Sequence, residues 1–223
     1  SAAMWVGVAG SRPGRLFRLR RSIAVAAAAS MMAAPVIGLA TGHLAAPGKS
    51  SAALVLLGGS AGWHFDSWRS NTDAVRGGPS TAVLRPSGTA EAEFSGNLDP
   101  SKLGAAFAGV ELPVDLLPVP FASLDALRVT ASSGGSYTYS VSLKLRGGAS
   151  GASYKFRFQP TDSEEEFELP LKDFLPIVRG RESATSPPLD KELVESLGLQ
   201  IASGFGQQSG QFSLTLREIS GVP

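Results

Sequence analysis

Between Tyr137 and Leu145 large and small side chains take strict turns. Tyr137, Tyr139, Val141, Leu143 and Leu145 alternate with Thr138, Ser140, Ser142 and Lys144. A period of two puts every apolar side chain on one face of a strand, and a helix would scatter them around its circumference. Such a strand needs a second layer to cover its apolar face. The rest of the chain from Trp63 onward has the same texture. Short runs at 81–84, 90–94, 104–110, 124–131, 154–158, 165–169, 197–202 and 212–219 read as strands, cut apart by Gly, Ser, Pro and Asp clusters. In 154–158, Tyr154, Phe156 and Phe158 take one face while Lys155 and Arg157 take the other. Ser132-Ser133-Gly134-Gly135 and the segment 146–151 read as hairpin turns of an antiparallel meander. Leu169 to Arg181 reads as a strand running into a tight charged loop, with Pro170 and Pro176 excluding a long helix. Residues 189–197 read as one short helix, capped by Asp190 and ended by Gly198. The fold class is therefore all-β, a two-sheet sandwich or jelly roll over residues 63–223.

The front of the chain is different. Arg12, Arg15, Arg18, Arg20 and Arg21 crowd residues 1–21, and no acidic residue precedes Asp66. Residues 22–48 then carry no charge, and their apolar heart, 23–40, approaches the length needed to cross a bilayer. Ile23, Val25, Met31, Met32, Val36, Ile37 and Leu39 would face lipid in a membrane-associated helix, with the arginines held on the side of origin. A removable targeting sequence would share this pattern, as would a helix bound to a partner. Residues 49–62 read as a connector whose Leu54-Val55-Leu56-Leu57 run suits an entry strand or a second membrane contact.

Absent residue types exclude much chemistry. With no cysteine among 223 residues, disulfides, thiolate metal sites and cysteine nucleophiles are unavailable, and two histidines cannot build a histidine-rich metal centre. A net charge of +1 gives no electrostatic case for nucleic acid. Asp73 with Arg179 and Arg181 could form an anion or partner site, because guanidinium forks grip carboxylates bidentately. Alternatively Asp73 caps the turn before Gly77-Gly78. Glu164, Glu165, Glu166 and Glu168 read as a solvated edge rather than a glycosidase pair, since consecutive residues cannot face one another across a cleft. His64 beside Asp66 lacks a nucleophile, and the 146–151 turn lacks the lysine of a phosphate loop. Tyr137, Tyr139, Tyr154, Phe156 and Phe158 read as core, with a sugar-stacking platform as the alternative.

The ordered pieces WRSNTDAVRGGPS, EFSGNL, SYTYSVSL, SYKFRF, ELPLKDFLPIVRGR, SLGLQIA and GQFSLTLREI resemble the CIA30 family, named for the complex I intermediate-associated protein of about 30 kDa. Asp73, Gly77, Gly78 and Ser80 match its Asp–Gly-Gly–Ser pattern. Phe94 and Gly96 match its Phe-x-Gly, and Pro170, Asp173, Phe174, Arg179, Gly180 and Arg181 match its trailing Arg-Gly-Arg region. Gly104-Ala105-Ala106-Phe107 stands where the family has Asn-Gly-Gly-Phe, and Phe167 stands where it has Trp. A proline-rich insertion, 112–120, looks private to this chain. The resemblance implies a galactose-binding-like jelly roll without catalytic activity or cofactor. It further implies an accessory or assembly protein of a large energy-transducing membrane complex. With the arginine-collared head this suggests the chloroplast thylakoid membrane and a photosystem, or the mitochondrial inner membrane and complex I. The partners expected are subunits of that complex and, through the head, membrane lipid or pigment. Arg179, Arg181, Asp73, Pro113, Pro118 and Pro120 are the expected contacts. A carbohydrate-binding module is the alternative.

Overall fold

Tyr139 carries the apolar alternation from one sheet to the other. From the sheet that holds it, its hydroxyl reaches the Ser213 carbonyl at 3.1 Å and Ser133 Oγ at 3.2 Å. Burial is the main cause that pushes this phenol up to about 12. It is therefore a neutral strut within the core. The computed structural model describes residues 52–148, 151–204 and 206–223.

Thirteen strands occur among these residues: β1 (Leu54–Gly58), β2 (Arg69–Ser70), β3 (Thr81–Ser87), β4 (Glu91–Leu98), β5 (Phe107–Pro113), β6 (Ala126–Ser132), β7 (Tyr139–Leu145), β8 (Ser153–Phe158), β9 (Glu165–Pro170), β10 (Leu175–Val178), β11 (Arg181–Glu182), β12 (Val194–Ala202) and β13 (Gly210–Val222). One sheet runs β3-β4-β13-β6-β9, with β1 also on β13; the other runs β11-β10-β8-β7-β12-β5-β2. Every pairing is antiparallel. The inward faces meet in one core. Phe94, Leu127, Val129, Leu169, Leu214 and Leu216 come from the first sheet. Val110, Val141, Leu143, Tyr154, Leu197 and Leu199 come from the second. Fully burying one such side chain is worth about 1.5–3 kcal/mol, so the alternation itself drives the two sheets together.

All nine runs read as strands in the sequence are strands, and the core reading of Tyr139, Tyr154 and Phe158 holds. Three details differ. Residues 189–197 form no α-helix: Asp190 accepts from Glu192 N at 3.1 Å and caps a single 3-10 turn, Lys191–Leu193. The chain then enters β12, whose Val194, Leu197, Leu199 and Ile201 are buried between two neighbours, so strand pairing overrides local helix preference. The link Ser132–Gly135 is not a hairpin turn, because β6 and β7 belong to different sheets; Ser133 is buried there and donates to Ser213 O at 2.8 Å. The Leu54–Leu57 run takes the entry-strand alternative: it lies in β1, paired with the end of β13, so the sandwich begins before Trp63. The basic head and the expected membrane helix, with Ile23, Val25, Met31, Met32, Val36, Ile37 and Leu39, lie outside the described residues. Among the described residues no helix is long and apolar enough to cross a membrane.

Candidate functional site

Register decides which side chains leave the core of the seven-stranded sheet together. Gly109, Gln200, Ser140 and Arg157 stand side by side on β5, β12, β7 and β8. The next row is Glu111, Gly198, Ser142, Lys155 and Leu175, ending on β10. A third is Pro113, Ser196, Lys144, Ser153 and Ile177. The middle of this outer face is thus glycine and serine, and its margin carries long cations. Small side chains between long ones leave a hollow of about 950 Å³. Arg76 and Arg179 stand at its rim, with Gln207 and Gln208 from the 203–208 loop.

The polar groups of the floor hold one another in place. Lys155 Nζ donates to Gln200 Oε1, while Ser140 Oγ donates to the Gln200 carbonyl at 3.3 Å. Lys144 pairs with Glu111, whose Oε2 also accepts from Asn71 Nδ2 at 3.2 Å. The Lys155 ammonium is brought down to about 8, first by its burial and then by the positive charges of Arg157 and Lys144. Gln208 fixes the end of the hollow, accepting from Thr138 N at 3.0 Å and donating to Ala202 O at 2.7 Å.

Arg179 reaches the rim through a strained turn. Val178 pairs with Arg181, leaving Arg179 and Gly180 as a two-residue hairpin loop with φ of 51° and 80°. Positive φ at both positions is the geometry that matches strand twist, and an arginine there costs about 1 kcal/mol that asparagine or glycine would avoid. Arg76 is placed by the 3-10 turn Asp73–Arg76 and stacks 5.5 Å from the Phe107 ring centroid.

The residues expected from the sequence to form a site are not gathered together. Asp73 is fully buried, and its carboxylate accepts from Ser80 N at 3.1 Å and Ser80 Oγ at 2.9 Å. Its carboxylate ties the loop 73–80 together across Gly77-Gly78, while Thr72 Oγ1 caps the 3-10 turn, and no surface anion site includes it. Arg179 lines the hollow, whereas Arg181 is exposed on the edge strand β11. Pro113 is exposed at the end of β5, and Pro118 and Pro120 are exposed on the following loop, which buried Val114, Leu117 and Phe121 pin. Sequence reading passed over Arg76, Lys144, Lys155, Arg157 and Gln200 as a group. The signal was the polar half of two strand alternations, and its meaning depends on which strands become neighbours. Among the described residues no cluster of His, Asp and Glu could hold a metal ion.

The family described as Complex I intermediate-associated protein 30 (CIA30) matches residues 58–216. An uncharacterized protein of Schizosaccharomyces pombe is 29% identical over 184 residues, covering 76% of this chain and 84% of that protein. Among solved structures, the family 11 carbohydrate-binding module of Clostridium thermocellum, in complex with a β-1,3-1,4-mixed-linked tetrasaccharide, is similar at a TM-score of 0.53. It is 17% identical, over 78% of this chain and 97% of that one. The family 11 module of a cellulosomal cellulase from Clostridium thermocellum has a TM-score of 0.50 and 15% identity, over 70% of this chain and 88% of that one. At such identities the likeness concerns fold alone, a jelly-roll-like sandwich.

Proposed function

The chain belongs to the CIA30 family, and from that premise we propose that it is a non-enzymatic accessory or assembly subunit of a large energy-transducing organellar membrane complex. The sandwich is its docking module. The observation that carries this reading is the open hollow of the seven-stranded sheet, walled by Lys155, Arg157 and Arg179 and floored by small residues. That arrangement suits holding a partner, since its groups can bind and orient one. The thylakoid membrane with a photosystem is the favoured setting, and the mitochondrial inner membrane with complex I is the alternative. The test is gentle-detergent fractionation of both membranes from cells expressing a tagged full-length chain. Comigration with a large complex, and crosslinks to its subunits, is the expected outcome. A chain that runs free in every fraction overturns the proposal.

The fold likeness to carbohydrate-binding modules favours a second reading, in which the hollow takes a glycan through Gln200, Ser140 and Ser142. Of its expected aromatic platform, Tyr139, Tyr154 and Phe158 are buried in the core, and Tyr137 and Phe156 are partly buried against it. Glycan-array binding lost in Gln200→Ala would support this reading, and a silent array would remove it.

A further inference from the structure

Charge in the hollow is unbalanced. Once Lys144 is paired with Glu111, the cations Arg76, Lys155, Arg157 and Arg179 line the hollow, and the carboxylate lining it is Glu195. Lys155 is held by the neutral amide of Gln200 and lies in the field of Arg157 and Lys144, with like charges crowded together. Crowded cations over a recessed floor cost folding free energy, and an anionic occupant would offset that cost. Dimensions narrow the occupant further. The lining runs across β5, β12, β7, β8 and β10, which at about 4.8 Å between strands spans about 19 Å. An extended peptide of about six residues has that length. Chemistry narrows it again. The amides of Gln200 and Gln207 and the hydroxyls of Ser140 and Ser142 both donate and accept, which matches a peptide backbone; a bare phosphate would use donors alone. A neutral sugar would look for an open ring face, whereas Phe107 is covered by Arg76 and Tyr139 points into the core.

We propose that this hollow binds an extended acidic segment of a partner protein, about six residues long, whose carboxylates meet Arg157, Arg179 and Lys155. The inference deepens the docking reading above and rests on it. Arg157 and Arg179 are exposed, so they can be changed without opening the core.

The experiment is fluorescence anisotropy with the full chain in mild detergent at low salt. Its probes are a labelled hexapeptide alternating Asp with Ser, the same peptide with Asn for Asp, and a trimeric oligogalacturonate. The acidic hexapeptide is expected to bind at least tenfold tighter than its Asn counterpart. Arg157→Gln and Arg179→Gln are each expected to weaken it about tenfold, as loss of one charge-assisted hydrogen bond would. Arg217→Gln, outside the hollow, leaves binding unchanged. Equal binding of the two peptides overturns the inference, as does acidic binding indifferent to both arginine variants. Tighter binding of the oligogalacturonate than of the peptide also overturns it and assigns the hollow to an anionic glycan. A chain that comigrates with a membrane complex yet ignores the acidic peptide sinks this inference and leaves the docking reading standing. A chain that binds the peptide but runs free in every fraction does the reverse.

Discussion

The two outer faces of the sandwich are built from the same alternation and put to opposite uses. On the six-stranded sheet Arg85 and Arg128 lie opposite acids of the adjoining strand, and Arg217 reaches an acid just before β9. Arg85 meets Glu93 at 2.6 Å, Arg128 meets Glu168 at 3.1 Å and Glu166 at 3.9 Å, and Arg217 meets Glu164 at 3.3 Å. Glu93 also accepts from Ser213 Oγ at 2.7 Å. Long paired side chains thus occupy that face. On the seven-stranded sheet the central positions are Gly109, Gly198, Ser140 and Ser142, and Lys155, Arg157 and Arg179 have no carboxylate partner among the described residues. One face satisfies itself; the other leaves its charge to be answered from outside. A surface that answers its own charges stabilises the fold slightly and recruits nothing, whereas unanswered charge is held ready for a ligand.

Variants can separate what belongs to the sheets from what belongs to the hollow. The largest effect is expected at Gly96, where an added Cβ would lie 2.0 Å from the Thr81 carbonyl oxygen of the adjoining strand. Backbone cannot retreat as a side-chain tip can. Gly96→Ala should therefore cost about 3 kcal/mol, read as a fall of about 6–12 °C in Tm. Next comes Lys155→Met, with the opposite sign. The ammonium loses its proton near 8 in the folded chain and at 10.5 unfolded. Between those values the unfolded chain binds more protons, so native stability rises with pH; below 8 the whole penalty is present. Methionine should raise stability by about 2 kcal/mol at pH 7, and the gain should fade by about pH 10.5, as denaturant titrations at the two pH values would show. Peptide binding should weaken at the same time. A Lys155→Met chain no more stable than its parent would mean the cations of the hollow are not strained. Gly198→Ala follows at about 1–2 kcal/mol, since its Cβ would stand 2.8 Å from Val110 O, a milder crowding than at Gly96. A cost equal to that of Gly96→Ala would show the hollow's floor to be as tightly built as the six-stranded sheet.

The same contrast explains what could be read from the residues. Strand positions were legible because alternation is local: Tyr137 to Leu145 announces its face without reference to any neighbour. Edge charge at Glu164 to Glu168 was legible for the same reason, and β9 is indeed the edge of its sheet. The short helix at 189–197 was misread because Asp190 is a true cap, but of a single 3-10 turn, and burial of β12 on both sides claims everything after it. The hollow was hidden for a deeper reason. Ser140, Gln200 and Arg157 are far apart in sequence and adjacent only through the register of three strands. Sequence order does not carry that register, because β6 and β7 follow one another yet lie in different sheets. Arg179 was singled out because Arg-Gly is visible as a turn; Asp73 was singled out with it because a buried carboxylate that closes a loop and a surface one look alike in a string of letters.

The smallest effect expected bears most directly on the division of labour between faces. Glu93 is held below the usual carboxylate range, chiefly by the hydrogen bond from Ser213 and then by that from Arg85. A carboxyl depressed in the folded state contributes its stability above the unfolded value of 4.5, and loses it as pH falls through the folded value. Arg85 is more than half exposed, so solvent screens the pair and Arg85→Gln should cost only about 0.5 kcal/mol at pH 7. Salt at about 1 M should erase even that, because the Debye length is then about 3 Å. Binding of the acidic hexapeptide should be the same in Arg85→Gln as in the parent, at any salt where both bind. Were Arg85→Gln to weaken that peptide as much as Arg157→Gln does, attraction would belong to the molecule's overall charge, and the distinction between a self-satisfied face and a receptive one would fall.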